Sequence, residues 1–231
     1  MKKLLSILLI LSVLITYTIV YAEDNEISFR GIEWYSSKKD VEEILLSDEN
    51  IRSRNSSAHD IYRMSGTYYP NVTMGSDRVD DGGIVGRYDG IKIAGYEIPT
   101  TYIYYVYPIE NKKIIHEDDQ ALMYLIWYPF TNSAFADQIG IHDDLSAKLT
   151  SLYGKGKVDK SSKYYTITTW KDKKGNTILL LINDDKDYTS LAYMASDAEK
   201  MLDTMKQALK DEAIELEKQQ REQNSNNTDG L

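Results

Sequence analysis

The chain has 231 residues, 36 acidic against 27 basic, a net charge of −9 and no Cys. The missing Cys excludes a disulfide scaffold, a thiolate zinc site, a cysteine nucleophile and a lipid-modified cysteine. Hydrophobic residues at 42% and charged residues at 27% exclude wholesale disorder.

The first 22 residues form a separate unit. Lys2 and Lys3 precede an apolar run, Leu4 to Ile15, broken only by Ser6 and Ser12, and Val20-Tyr21-Ala22 closes it. A basic start, an apolar centre and small residues before an acidic stretch predict a secretory signal peptide over 1–22, cut after Ala22. An uncleaved anchor is the competing reading, because Leu4 to Ala22 is 19 residues and about 20 can span a bilayer. Thr16, Tyr17 and Thr18 dilute that span, so cleavage and export to a periplasmic or extracellular location are the expectation. Two basic residues and no acid lie in the leader, so the remainder carries −11. That excess argues against nucleic acid, whose phosphates need Lys and Arg, and against anionic membrane surfaces after cleavage. A chain rich in Ile, Lys, Asn and Tyr and poor in Pro also fits an AT-rich bacterial genome.

Residues 23–222 read as a single α+β domain, with possible sub-units at 23–135 and 136–222 and a disordered tail at 223–231. Ile27 to Trp34 predicts a short strand with a break at Gly31. Ser37 and Asp40 make a capping box for a helix from Lys38 to Leu46, with Val41, Ile44 and Leu45 at helical spacing. Ile61 to Tyr69 suggests a further strand, and Asn71 to Gly90, with five Gly and Asp77, Asp80, Asp81 and Asp89, reads as loop. Tyr102 to Tyr107 is apolar or aromatic on both faces, the pattern of a strand covered on both sides. Ala121 to Tyr128 is a second such run, stopped by Pro129.

Ile141, Leu145, Leu149 and Leu152 carry a second helix, capped by Asp143 or Asp144 and ended by Gly154 and Gly156. Tyr164 to Trp170, Thr177 to Ile182 and Tyr188 to Ala195 predict a three-stranded antiparallel meander. Ser196 and Glu199 suggest another capping box, opening a closing helix with a stripe of Leu202, Met205, Leu209, Ala213 and Leu216. Glu212 falls on that stripe, so docking onto the body is preferred to a coiled coil. The expected architecture is helices packed on one face of antiparallel sheet, with two candidate similar halves, each a helix followed by strands.

The candidate constellations are thin. His59, His116 and His142 lie in polar settings, and His116-Glu117-Asp118-Asp119 and His142-Asp143-Asp144 read as solvated turn and helix cap rather than metal or base sites. Ser36-Ser37-Lys38-Lys39 has a Ser-x-x-Lys spacing without its companion motifs. Gly154-Lys155-Gly156-Lys157 lacks the rest of a phosphate loop. The Asp77–Gly83 stretch fails as a calcium loop because Val79 and Tyr88 stand at ligand positions. No cofactor and no metal are expected. Tyrosine is the unusual feature, 19 in the chain. Tyr102, Tyr104, Tyr105, Tyr107, Tyr124, Trp127, Tyr128, Tyr164, Tyr165 and Trp170 concentrate in the predicted strands. Most should be core; an exposed subset, with Tyr102, Tyr104, Tyr105, Tyr107 and Trp127 as candidates beside Asp77, Asp80 and Asp81, would bind a partner.

Phe29-Arg30-Gly31-Ile32-Glu33-Trp34 followed by Val41-Glu42-Glu43-Ile44-Leu45, with Leu152-Tyr153-Gly154, Trp170, Leu179 and Leu191-x-Tyr193, resembles a loosely defined set of small exported bacterial α+β proteins of uncharacterised function. That set is distantly similar to small outer-membrane assembly lipoproteins and β-lactamase-inhibitory proteins. The resemblance covers about half the mature chain and implies helices over an antiparallel sheet. Tyr35 departs from it, standing where the set has Gly, and no lipid-attachment Cys exists. The expectation is an exported non-enzymatic binding protein for a protein or cell-envelope ligand. The alternatives are an envelope hydrolase using carboxylates of Asp77 to Asp89, or a secreted enzyme inhibitor with a rigid exposed loop.

Overall fold

The structure is a computed structural model that describes residues 25–54, 83–131, 133–161 and 163–225. Among the described residues are three α-helices, α1 (Lys38–Leu45), α2 (Gln138–Tyr153) and α3 (Ala198–Ser225), and twelve strands. Eight strands form one antiparallel sheet. They are β1 (Arg52–Arg54), β2 (Gly83–Asp89), β5 (Thr101–Val106), β8 (Leu122–Phe130), β9 (Lys157–Asp159), β10 (Tyr165–Lys171), β11 (Thr177–Asn183) and β12 (Thr189–Met194), in the order β1-β2-β5-β8-β12-β11-β10-β9. Two small hairpins, β3 (Lys92–Ile93) with β4 (Tyr96–Glu97) and β6 (Ile109–Glu110) with β7 (Lys113–Ile114), stand apart from it.

The order shows two halves of the same plan. The run α1-β1-β2-β5-β8 and the run α2-β9-β10-β11-β12 each place a helix, a short edge strand and a three-stranded meander in sequence. Their last strands, β8 and β12, pair antiparallel, with Trp127 opposite Ala192, and join the halves into one sheet.

Alternation along the strands sorts the core into two layers, because successive side chains point to opposite faces. Ile103 and Tyr105 of β5 pack on the layer of Val41, Leu45, Ile141, Leu145 and Leu149, so α1 and α2 cover one face, as expected. Tyr102, Tyr104 and Val106 join Leu125, Trp127, Ala198 and Met205 on the other. There α3 departs from the one-face expectation: a two-sided apolar sheet needs a second cover, and α3 supplies part of it. A bulge helps. Tyr104 pairs with Leu125 and Tyr105 with Met123, leaving Tyr124 as the extra residue, so Tyr124 and Leu125 both face α3.

Several local expectations are corrected. Ile27 to Trp34 is a tight turn, not a strand: Phe29 bridges Ile32, and Arg30 (φ 52°) and Gly31 (φ 77°) take the left-handed conformations of a two-residue turn. Gly83 to Asp89, read as loop, is strand β2, with Tyr88 fully buried. Its glycines masked the pattern, yet Gly86 has a packing reason: a Cβ there would come within 2.6 Å of the Tyr88 ring. Pro129 does not stop β8. It pairs with Ser190 of β12 but lies beyond the last β5 pair at Trp127, where a missing N–H breaks no ladder on that side. The cap of α2 is Asp137, which accepts from the Gly140 N–H at 2.8 Å, while Asp143 and Asp144 sit inside the helix. Ser196 lies before α3, its N–H donating to Asn176 Oδ1, and α3 runs on to Ser225, so residues 223–225 are helix rather than tail. The Ser37–Asp40 box holds: Ser37 Oγ accepts from the Asp40 N–H and donates to Asp40 Oδ2. Tyr35 has φ 67°, a conformation that favours Gly, and its N–H is tied to the Met123 carbonyl at 2.9 Å. The predicted strand at Ile61 to Tyr69 lies outside the described residues.

Candidate functional site: a groove between a hairpin and the last helix

The aromatic candidates are core. Tyr102, Tyr104, Tyr105 and Trp127 are all buried, as are Tyr124, Tyr128 and Trp170. Strand-forming aromatics on a sheet covered from both sides have nowhere to meet solvent. Of the other strand aromatics Tyr107 and Tyr165 are partly open and Tyr164 is exposed. Asp77, Asp80 and Asp81 lie outside the described residues, as does His59. Asp89 is spent locally, paired with Arg54 and accepting from Thr100 Oγ1 at 3.1 Å.

One polar constellation is enclosed. The Tyr88 hydroxyl donates to Glu42 Oε1 at 3.0 Å and lies 3.0 Å from the Tyr105 hydroxyl, while Glu42 Oε2 meets Lys38 Nζ at 2.9 Å. Burial pushes both phenols well above their ordinary values, helped for Tyr88 by the Tyr105 and Glu42 oxygens. The two phenols never ionise at neutral pH and have no open side. The chain of bonds ties α1 to the sheet.

The open constellation is at the other face. Hairpin β6–β7 turns through Asn111 (φ 49°) and Lys112 (φ 65°), the left-handed pair that a two-residue hairpin requires. That turn places β7 beside α3. Glu212 Oε1 accepts the Ile114 N–H at 3.2 Å, and Glu212 Oε2 lies 3.4 Å from His116 Nε2. The His116 ring packs edge-on to Tyr107, centroids 5.2 Å apart. The Tyr107 hydroxyl donates to Asp118 Oδ1 at 2.7 Å, and burial with that carboxylate pushes its pKa up to about 12.

Between hairpin and helix lies a groove of about 760 Å³. Lys112 and Lys113 make a cationic wall beside the His116 ring, Asp211 and Glu215 an anionic one, and Ile114, Leu209, Ala213 and Leu216 an apolar floor. Along the groove α3 leaves the body: Ile214 is 66% exposed and Leu216, at the groove's end, 57%. Fixed charges of both signs around an apolar floor suit recognition of another chain. Among the described residues no group of three or more His, Asp or Glu is arranged to hold a metal.

Sequence reasoning found His116 and missed Glu212 as its partner, 96 positions away. The signal was present, an acid on an apolar stripe, and the structure shows what it does there: it satisfies a backbone N–H of β7. His142 sits on α2 with Nδ1 3.2 Å from Asp143 Oδ1, away from the groove. Ser36 serves as a backbone acceptor for Met123, and Gly154 (φ 76°) ends α2. None of the described helices is long and apolar enough to cross a membrane. No protein family, curated protein or solved structure matches the chain.

Proposed function

We propose that the protein is an exported, non-enzymatic binding protein that takes a protein ligand in the groove between β6–β7 and α3. The groove itself carries the reading, with its apolar floor, its two walls of opposite charge and the exposed second half of α3 beside it. A helix segment without packing is marginal in water. The last turns of α3 hold internal pairs such as Arg221–Glu217, so a ligand laid along them would stabilise both. The leader-like first 22 residues support export. The hydrolase alternative rests on Asp77 to Asp89, of which Asp89 alone is described, and it is already paired. The inhibitor alternative is the same reading with an enzyme as the ligand, the rigid β6–β7 turn being its contact.

Photo-crosslinking in the source cell tests it. A benzoylphenylalanine at Lys113 or Leu216 should yield one discrete protein adduct, and the same group at Lys39 on the opposite face should yield none. Equal labelling at all three positions, or none at any, would remove the groove from the account.

A further inference from the structure

From the described edge of the sheet we infer a second, independent binding surface: the β9 edge takes a linear phosphate polymer. Between positions 155 and 174 the sequence has seven lysines, 155, 157, 160, 163, 171, 173 and 174, against Asp159 and Asp172. That stretch is +5 in a chain of −9, so the rest carries −14. Positive charge concentrated in this way on an acidic protein creates a local potential that the net charge conceals.

The placement makes the lysines available. β9 ends the sheet, with Lys157 opposite Thr169 of β10, and Lys155, Lys157, Lys160, Lys163 and Lys171 are all exposed. Lys174 is paired with Glu26, and Lys163 lies over the Tyr164 ring at 4.8 Å. Lys155, Lys157, Lys160 and Lys171 meet no carboxylate within 4 Å among the described residues. Tyr164 is 64% exposed and Val158 53%, apolar contacts within a cationic line.

Charged edges protect sheets against pairing with other chains, and the two-half plan shows how little that takes. β1, the corresponding strand of the first half, uses Arg52 and Arg54, and Arg54 is neutralised by Asp89. The β9 edge carries more cations than protection requires, with Asp159 near Lys157 as the one carboxylate on the strand. Lys157 sits on β9, with Lys155 just before it and Lys160 just after it, so the three follow one edge of the sheet, a line that suits successive phosphates of one polymer better than a flat bilayer. A peptide adding as a strand would gain main-chain bonds to three residues only.

Binding to long-chain inorganic polyphosphate tests the inference. The full chain should bind at low salt, and affinity should fall roughly 50- to 100-fold between about 50 and 200 mM salt, the dependence for about four neutralised phosphates. The variant K155E/K157E/K160E should lose binding at least tenfold, and K155Q/K157Q/K160Q should lose less, both with unchanged circular dichroism. K206E/K210E/K218E on α3 should bind like the parent. Equal loss in the α3 variant, no polyphosphate binding at low salt, or retention only by single-stranded DNA, polyglutamate or phosphatidylglycerol vesicles would each overturn it.

Discussion

The two halves share an order of elements and differ in what joins them. In the second half β10 passes to β11 through residues 172–176, and β11 to β12 through 184–188, both tight turns. In the first half the same connections carry β3–β4 and β6–β7. Those additions reach outwards: Tyr96 of β4 packs against Phe130 and donates to Asp144 of α2 at 2.8 Å, and β7 meets α3. The interiors differ too. Under α1 lie phenols bonded to Glu42, whereas Trp170, Ile178 and Leu180 give the second half a largely hydrocarbon layer. A minimal half thus serves as frame, and the elaborated half bears the groove. Connections are where a sheet tolerates change, because they run over the surface without disturbing the ladder.

The largest expected effect is alkaline. Burial raises the phenols of Tyr88, Tyr104, Tyr105, Tyr124 and Tyr128 in the first half and Tyr193 in the second. The unfolded chain loses these protons near pH 10 while the folded chain keeps them. The stabilisation is therefore intact below pH 10 and lost as pH rises through the folded-state values, at about 1.4 kcal/mol per phenol per pH unit. Absorbance of the buried phenolates should appear in one step together with loss of circular dichroism. Smooth titration of every tyrosine near pH 10 would contradict the buried first-half layer.

Next in size is Trp170→Ala. The ring is buried and its Nε1–H donates to the Gly154 carbonyl at 3.0 Å, so truncation should cost about 3–5 kcal/mol in urea denaturation. The halves should still unfold together. β8 and β12 share a ladder, and the first-half lead-in is sewn to the second by the Ile27 N–H on Asp172 Oδ2 at 2.9 Å. A three-state curve would mean that the halves are separate folding units.

Tyr88→Phe sharpens the contrast between interiors. It leaves Glu42 and the Tyr105 hydroxyl without their common partner, a loss of about 1–3 kcal/mol. Ile178→Val in the hydrocarbon layer should cost only about 0.5–1.5 kcal/mol. Thermal denaturation of both variants gives the comparison, and equal costs would show that the phenol bonds carry no net weight. The smallest effect is a gain. Ala94 holds φ 53° before Gly95 in the β3–β4 turn, so Ala94→Asn should stabilise by about 0.5 kcal/mol, since Asn tolerates that conformation better. A lower melting temperature would mean that the turn is not held as described.

Much of the second half was readable from sequence. Gly154, the Lys171–Asn176 turn and the strands on either side of it obey local rules of spacing and turn chemistry, and they stand within a residue or two of where those rules put them. β2 was not readable, because Gly83 and Gly86 imitate a loop until the Tyr88 ring is seen to need the space. The hairpins were missed because two-residue strands are too short to show a period. Of the candidate site, His116 was noticed and its meaning was not.

Composition and periodicity thus determined the class of fold, the three described helices and the aromatic strands, since each depends on neighbours a few residues apart. Which face α3 covers, that Glu212 closes onto Ile114 and His116, and that the tyrosines of β5 and β8 are sealed rather than displayed depend on pairs of positions up to about a hundred residues apart. Those pairs were decided when a sheet with two apolar faces had to bury both.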